Sequence, residues 1–131
     1  NNDPETRKII VLMTDGENTI GSRDTPNDGT YAATGYIWQG RVLKADGTPI
    51  EQGASSSERT KALDSRLKKI CDNMKAKKIE IFTIRVEDGD SALLEACATS
   101  PEHYYNVASS STLNDVFQSI AGQIAALHLA K

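Results

Sequence analysis

The chain has 131 residues, of which 38% are hydrophobic and 25% charged, with a net charge of −3 and a pI of about 5.3. That length suits one small domain, and the balance excludes a disordered chain. The acidic charge, with its cations spread out, argues against a nucleic-acid surface. The longest apolar run, Ile9 to Met13, is too short to span a membrane as a helix. The start, Asn1-Asn2-Asp3-Pro4-Glu5, is polar and does not read as a signal peptide. It leads abruptly into an apolar strand, which points to a fragment with further sequence upstream.

Arg7 to Met13 is expected to be a strand. Its continuous apolar run suits a parallel sheet, where helices cover both faces. It ends at Thr14-Asp15-Gly16-Glu17-Asn18, where Gly16 allows a sharp turn. Asp15 has two readings by position: a turn-former bonding the N–H groups that follow, or one oxygen ligand of a hard cation.

Residues 19–57 turn to Gly, Ser, Thr, Asn, Asp and Pro, far longer than the ~2–6 residues of an ordinary strand-to-helix connection. They form a semi-ordered insertion carrying Tyr31, Tyr36 and Trp38. These aromatics suit either a partner-binding surface or a cover for the sheet. Tyr36 to Leu43 reads as a strand turning at Ala45-Asp46-Gly47, or as a short helix.

Ser55-Ser56-Ser57-Glu58 is a capping-box start. Leu63, Leu67, Ile70, Cys71 and Met74 follow at helical spacing. The cations Lys68, Lys69, Lys75, Lys77 and Lys78 read as a solvated face with a favourably charged helix end. Ile79 to Val86 is a second strand, and Asp88-Gly89-Asp90-Ser91 turns the chain and caps a short helix over Ala92 to Ala98. Pro101 stops that helix, and Tyr104 to Val107 is a third strand. Ser109-Ser110-Ser111-Thr112 caps a last helix with an apolar stripe of Leu113, Val116, Phe117, Ile120, Ile124 and Leu127.

This alternation predicts an α/β fold, a parallel sheet flanked by helices and joined by right-handed crossovers. With the strands side by side in chain order, the 63–74 and 92–98 helices share one sheet face as neighbours. No Ser-His-Asp arrangement or Gly-rich phosphate loop is visible. His103 reads as an ordinary residue before a strand, and His128 as a surface residue. Cys71 and Cys97 permit one bridge or two buried thiols.

The segment Ile9 to Asn18 resembles the fourth strand of a von Willebrand factor A domain. There a Thr-Asp-Gly turn supplies the last element of a metal-ion-dependent adhesion site. Tyr31 to Arg41, Cys71 to Lys75, Ile79 to Ile84, Leu93 to Cys97, Ala108 to Leu113 and Ile120 to Lys131 are similar, in order, to TadG-like proteins of Tad-type (Flp) pilus assembly. The resemblance spans nearly all of residues 1–131, with 19–57 as an insertion after the first strand. It implies the C-terminal half of a Rossmann-like domain and a non-enzymatic adhesion or assembly module. The module would lie on the periplasmic side of a bacterial envelope and bind pilus-assembly or envelope proteins. The family's main metal ligands precede Asn1, so Mg²⁺ or Mn²⁺ is expected only in the complete domain, with Asp15 as a partial site.

The resemblance also gives the cysteines a setting in which bridges persist. A Cys71–Cys97 disulfide across 26 residues would add ~3.5 kcal/mol in the chain-entropy model. In the family the missing half would lie beside the Arg7–Met13 strand. The open edge is therefore expected to pair with a second copy, or to be covered by the insertion. Two alternatives stand beside the assembly module. One is a metal-free envelope scaffold. The other is a phosphotransfer-type hydrolase using Asp15 as nucleophile, although Glu17 occupies the position where haloacid dehalogenases carry a second aspartate.

Overall fold

The computed structural model describes residues 7–19, 34–36 and 39–129, with side chains to residue 126. The chain divides into two compact units, Asn1–Gly16 with Lys75–Lys131, and Glu17–Met74.

The first unit is a parallel sheet of β1 (Lys8–Thr14), β2 (Ile79–Val86) and β3 (Tyr104–Val107), in the order β1-β2-β3. Pairing runs from Lys8↔Ile79 to Thr14↔Arg85, and from Thr83↔Tyr104 to Val86↔Val107. The predicted β2 and β3 coincide with the observed strands. β2 is buried on both faces because a helix lies against each. On one face Phe82, Ile84 and Val86 form a core with Val107 and with Ile120 of α3 (Leu113–Leu129). On the other, the hydroxyl of Thr83 donates to the carbonyl of Leu94 in α2 (Ser91–Cys97) at 2.9 Å.

β1 departs from the expectation of burial on both faces. Val11 is 42% exposed and Met13 51%. Partners across a parallel ladder share a face, so Val11 and Met13 lie on the α3 side with Phe82 and Ile84. Ile9 reaches the core there, but α3 does not extend its cover to the edge. Phe117, expected in the α3 stripe, is 45% exposed for the same reason. Ser119 and Gln123 turn towards β3, where Tyr105 Oη meets Ser119 Oγ at 3.2 Å and accepts from Gln123 Nε2 at 2.9 Å. Phe117 lies about 160° around the helix from Ser119, on the β1 side. Among the described residues, β1 pairs with β2 alone.

Most of α1 (Ser56–Ala76) belongs to the second unit. Its predicted capping box forms: Glu58 Oε2 accepts from the N–H of Ser55 at 2.8 Å and from its hydroxyl at 2.7 Å. Val42, Ile50 and Ala62 make a small core, flanked by Leu63 and Ala54. Residues 39–42 are not in a strand, which corrects the strand alternative for 36–43. The predicted turn is present, however, closed by Gly47 N–H to Lys44 O at 3.0 Å and a single Leu43↔Pro49 bridge. Asp46 accepts from both the N–H and the hydroxyl of Thr48, and these bonds lower its pKa. Such a local side-chain bond favours a tight turn over an extended strand.

Candidate functional site

In an open parallel sheet the carboxyl ends of the strands are where ligands gather. In the first unit this edge holds Thr14, Asp15, Gly16, Arg85 and the turn from Glu87 to Asp90. Arg85 is its organiser. Its Nε donates to the carbonyl of Gly89 at 2.8 Å, and one terminal nitrogen donates to Asn106 Oδ1 at 3.0 Å. The other lies 3.8 Å from Asp88 Oδ1. Asp90 caps α2 by accepting from the N–H of Leu93 at 3.0 Å.

The turn is also tightly wound. Glu87 has φ of 60° and Gly89 of 117°. A left-handed non-glycine residue costs roughly 1–2 kcal/mol, held here by the Glu87 N–H bond to Val107 O at 2.7 Å. A Cβ on Gly89 would stand 3.0 Å from the carbonyl oxygen of Gly16. The β1 and β2 turns therefore pack backbone to backbone, a contact that chain order alone does not reveal.

Asp15 sits on this edge and is exposed. The turn-closing role it was allowed in the sequence belongs instead to Thr14, whose Oγ1 donates to Gly16 O at 2.9 Å and accepts from Gly16 N–H at 3.3 Å. Asp15 is thus left to solvent. No group of three or more His, Cys, Asp or Glu side chains stands together to hold a metal ion among the described residues. Asp88 and Asp90 are already turned to Arg85, Gly89 and the α2 cap.

Both cysteines are oxidised: Cys71 of α1 and Cys97 of α2 form the disulfide, and no free thiol exists. Of the aromatic candidates, Tyr31 and Trp38 lie outside the described residues. Tyr36 is half-buried, with its N–H bonded to Gln39 Oε1 at 3.0 Å. Lys75, placed in the solvated cation cluster, instead donates to the carbonyls of Ala96 at 2.6 Å and Ala98 at 3.4 Å. It neutralises the negative end of α2.

His103 is more than an ordinary residue before a strand. Its Nδ1 meets Ser100 Oγ at 2.6 Å, its Nε2 meets Glu80 Oε1 at 2.8 Å, and its ring lies against Phe82 with centroids 4.3 Å apart. Arg7 also pairs with Glu80. A Ser-His-Glu chain therefore exists where the sequence showed no such arrangement, because strand register brings Glu80 beside a turn 20 residues later. Ser100 Oγ also donates to Glu102 Oε2 at 2.6 Å, which lowers the Glu102 pKa. A hydroxyl whose proton goes to a neighbouring carboxylate is not held for transfer to the imidazole, so the cluster reads as a clamp between the 101–103 turn and β2.

Among the described residues, no helix is long and apolar enough to cross a membrane. Comparison with protein-family models, curated proteins and solved structures finds no match.

Proposed function

We propose that this chain is the C-terminal half of a von Willebrand factor A-type domain from a TadG-like protein, a non-enzymatic module that binds partners during pilus assembly. The observation that carries the reading is Asp15: exposed, directly beyond the carboxyl end of an edge strand whose outer side is open among the described residues. A carboxylate so placed can complete a cation site whose other oxygens come from an adjoining strand. The disulfide supports a place outside the cytoplasm, where bridges persist. Val11, Met13 and Phe117 give the open edge an apolar shoulder, which supports pairing with a second copy there.

Calorimetry with Mg²⁺ and Mn²⁺ tests this on the 131-residue chain and on one extended upstream through the rest of the domain. The expected result is binding by the longer chain, weakened at least about ten-fold by Asp15→Ala, and weak or no binding by the shorter one. Unchanged affinity in Asp15→Ala would clear Asp15 of the role, and tight binding by the short chain would place the ligands elsewhere. The hydrolase reading predicts turnover of a generic phosphate ester; the assembly reading predicts none.

A further inference from the structure

A groove runs along α1 within the second unit. One hollow of about 250 Å³ is lined by Leu43, Lys44, Arg66, Lys69, Ile70 and Asn73, among others, and holds no carboxylate. A second, of about 230 Å³, shares Lys44, Ala45 and Ser65 with it and continues past Lys61 and Ala62 to Glu58. The α1 residues lining the two follow one helical stripe: 58, 61, 62, 65, 66, 69, 70 and 73. Glu58, the one acid of the pair, is engaged by Ser55 in the capping box.

The chemistry of the lining is specific. Lys44, Arg66 and Lys69 bring three positive charges to one hollow of a protein whose net charge is −3. Neither Lys44 nor Lys69 is in an ion pair among the described residues, whereas Lys68, just outside the groove, is neutralised by Asp72 at 2.8 Å. The same hollow exposes apolar side chains, Leu43 at 39% and Ile70 at 38%. A small inorganic anion would use the cations and leave Leu43 and Ile70 wet. A ligand that uses both carries carboxylates and apolar groups together.

The dimensions favour an extended chain. From Glu58 to Asn73 the stripe measures about 22 Å at ~1.5 Å per helical residue. That matches about seven residues of extended peptide at ~3.3 Å each. We propose that this groove binds an extended acidic peptide segment of a partner protein, with carboxylates at Lys44, Arg66 and Lys69 and an apolar side chain between Leu43 and Ile70. The proposal deepens the partner-binding reading but does not depend on Asp15 or on metal.

The test is fluorescence anisotropy of the full chain with a labelled, capped octapeptide alternating Asp and Leu. Peptides alternating Asp with Ser, and Lys with Leu, serve as comparisons, and single-stranded DNA of equal charge as competitor. The Asp–Leu peptide is expected to bind best, with Lys44→Glu and Lys69→Glu each weakening it about ten-fold and Ile70→Ser about five-fold. Lys77→Glu, the same charge change on an exposed residue outside the groove, is expected to leave affinity unchanged. Circular dichroism confirms that each variant folds. Equal loss in Lys77→Glu, equal binding of the Asp–Ser peptide, or DNA displacing the peptide as well as its unlabelled form would each overturn the proposal. Because Asp15→Ala leaves the groove intact, loss of the metal site and loss of peptide binding are separate results.

Discussion

Glu58 and Ser55 hold one another at the start of α1. The carboxylate accepts both the N–H and the hydroxyl of Ser55, and Ser55 Oγ accepts the N–H of Glu58 at 3.3 Å. The Ser55 hydroxyl, then its N–H, hold the Glu58 pKa below its ordinary value. Its folded pKa is therefore depressed, so the contribution to stability is complete above the unfolded value and is lost as pH falls through the folded one. Glu102 and Asp46 shift in the same direction, through Ser100 and Thr48. Thermal melts should decline as pH drops below about 4.5. Ser55→Ala should cost about 1 kcal/mol at neutral pH and flatten part of that decline. An acid profile unaltered by Ser55→Ala would remove the cap from the account.

The two turn glycines of the first unit should respond unequally to alanine. Gly89→Ala meets both φ of 117° and the Gly16 carbonyl at 3.0 Å, and should cost at least about 1 kcal/mol. At Gly16 a Cβ meets nothing within 4 Å and φ is not positive, so Gly16→Ala should be nearly neutral. Denaturant melts of the two variants check this, and equal effects would refute the packed-turn geometry.

Alkylation without reductant, followed by mass spectrometry, should find neither Cys71 nor Cys97 modified in protein from an oxidising compartment. Replacing both with serine should lower stability by ~3.5 kcal/mol if chain entropy governs the effect. Two alkylated thiols in untreated protein would dismiss the bridge.

Sedimentation at micromolar concentration should show self-association through β1. Met13→Lys and Val11→Lys, both at exposed sites, should shift the chain towards monomer because a charged edge resists strand pairing. A monomer at every concentration in the parent chain would end the second-copy reading and leave the edge to another partner.

Much of this was legible from periodicity. The β2 and β3 limits follow from apolar runs between turn residues, and the α1 start from a local four-residue motif. What escaped depends on which residues meet across the sheet. Phe117 satisfies helical spacing as well as Val116 does, yet only the width of the sheet beneath α3 decides which of them is covered. The Glu80–His103–Ser100 clamp likewise needs strand register, which no spacing in the chain encodes. Arg59, 99% buried with its Nε bonded to Ala54 O at 2.8 Å, was unmarked because arginine on an exposed-looking helix start gives no sign of burial. Asp15 directly follows β1, as the apolar run implies, but whether it or Thr14 closes the turn is a matter of side-chain rotamer.

The single-sided pairing of β1 also leaves a signature in time. Successive amides of a strand point to opposite sides, so those of β1 facing β2 are bonded, and those facing outward have no strand partner among the described residues. In deuterated water residues 8–14 should therefore exchange in a fast–slow alternation of period two, while residues 83–86 of β2, flanked by β1 and β3 and covered on both faces, should exchange slowly. A chain seated along the edge would protect the fast set and erase the alternation. The strand thus carries its own record of whether that edge is occupied, readable residue by residue.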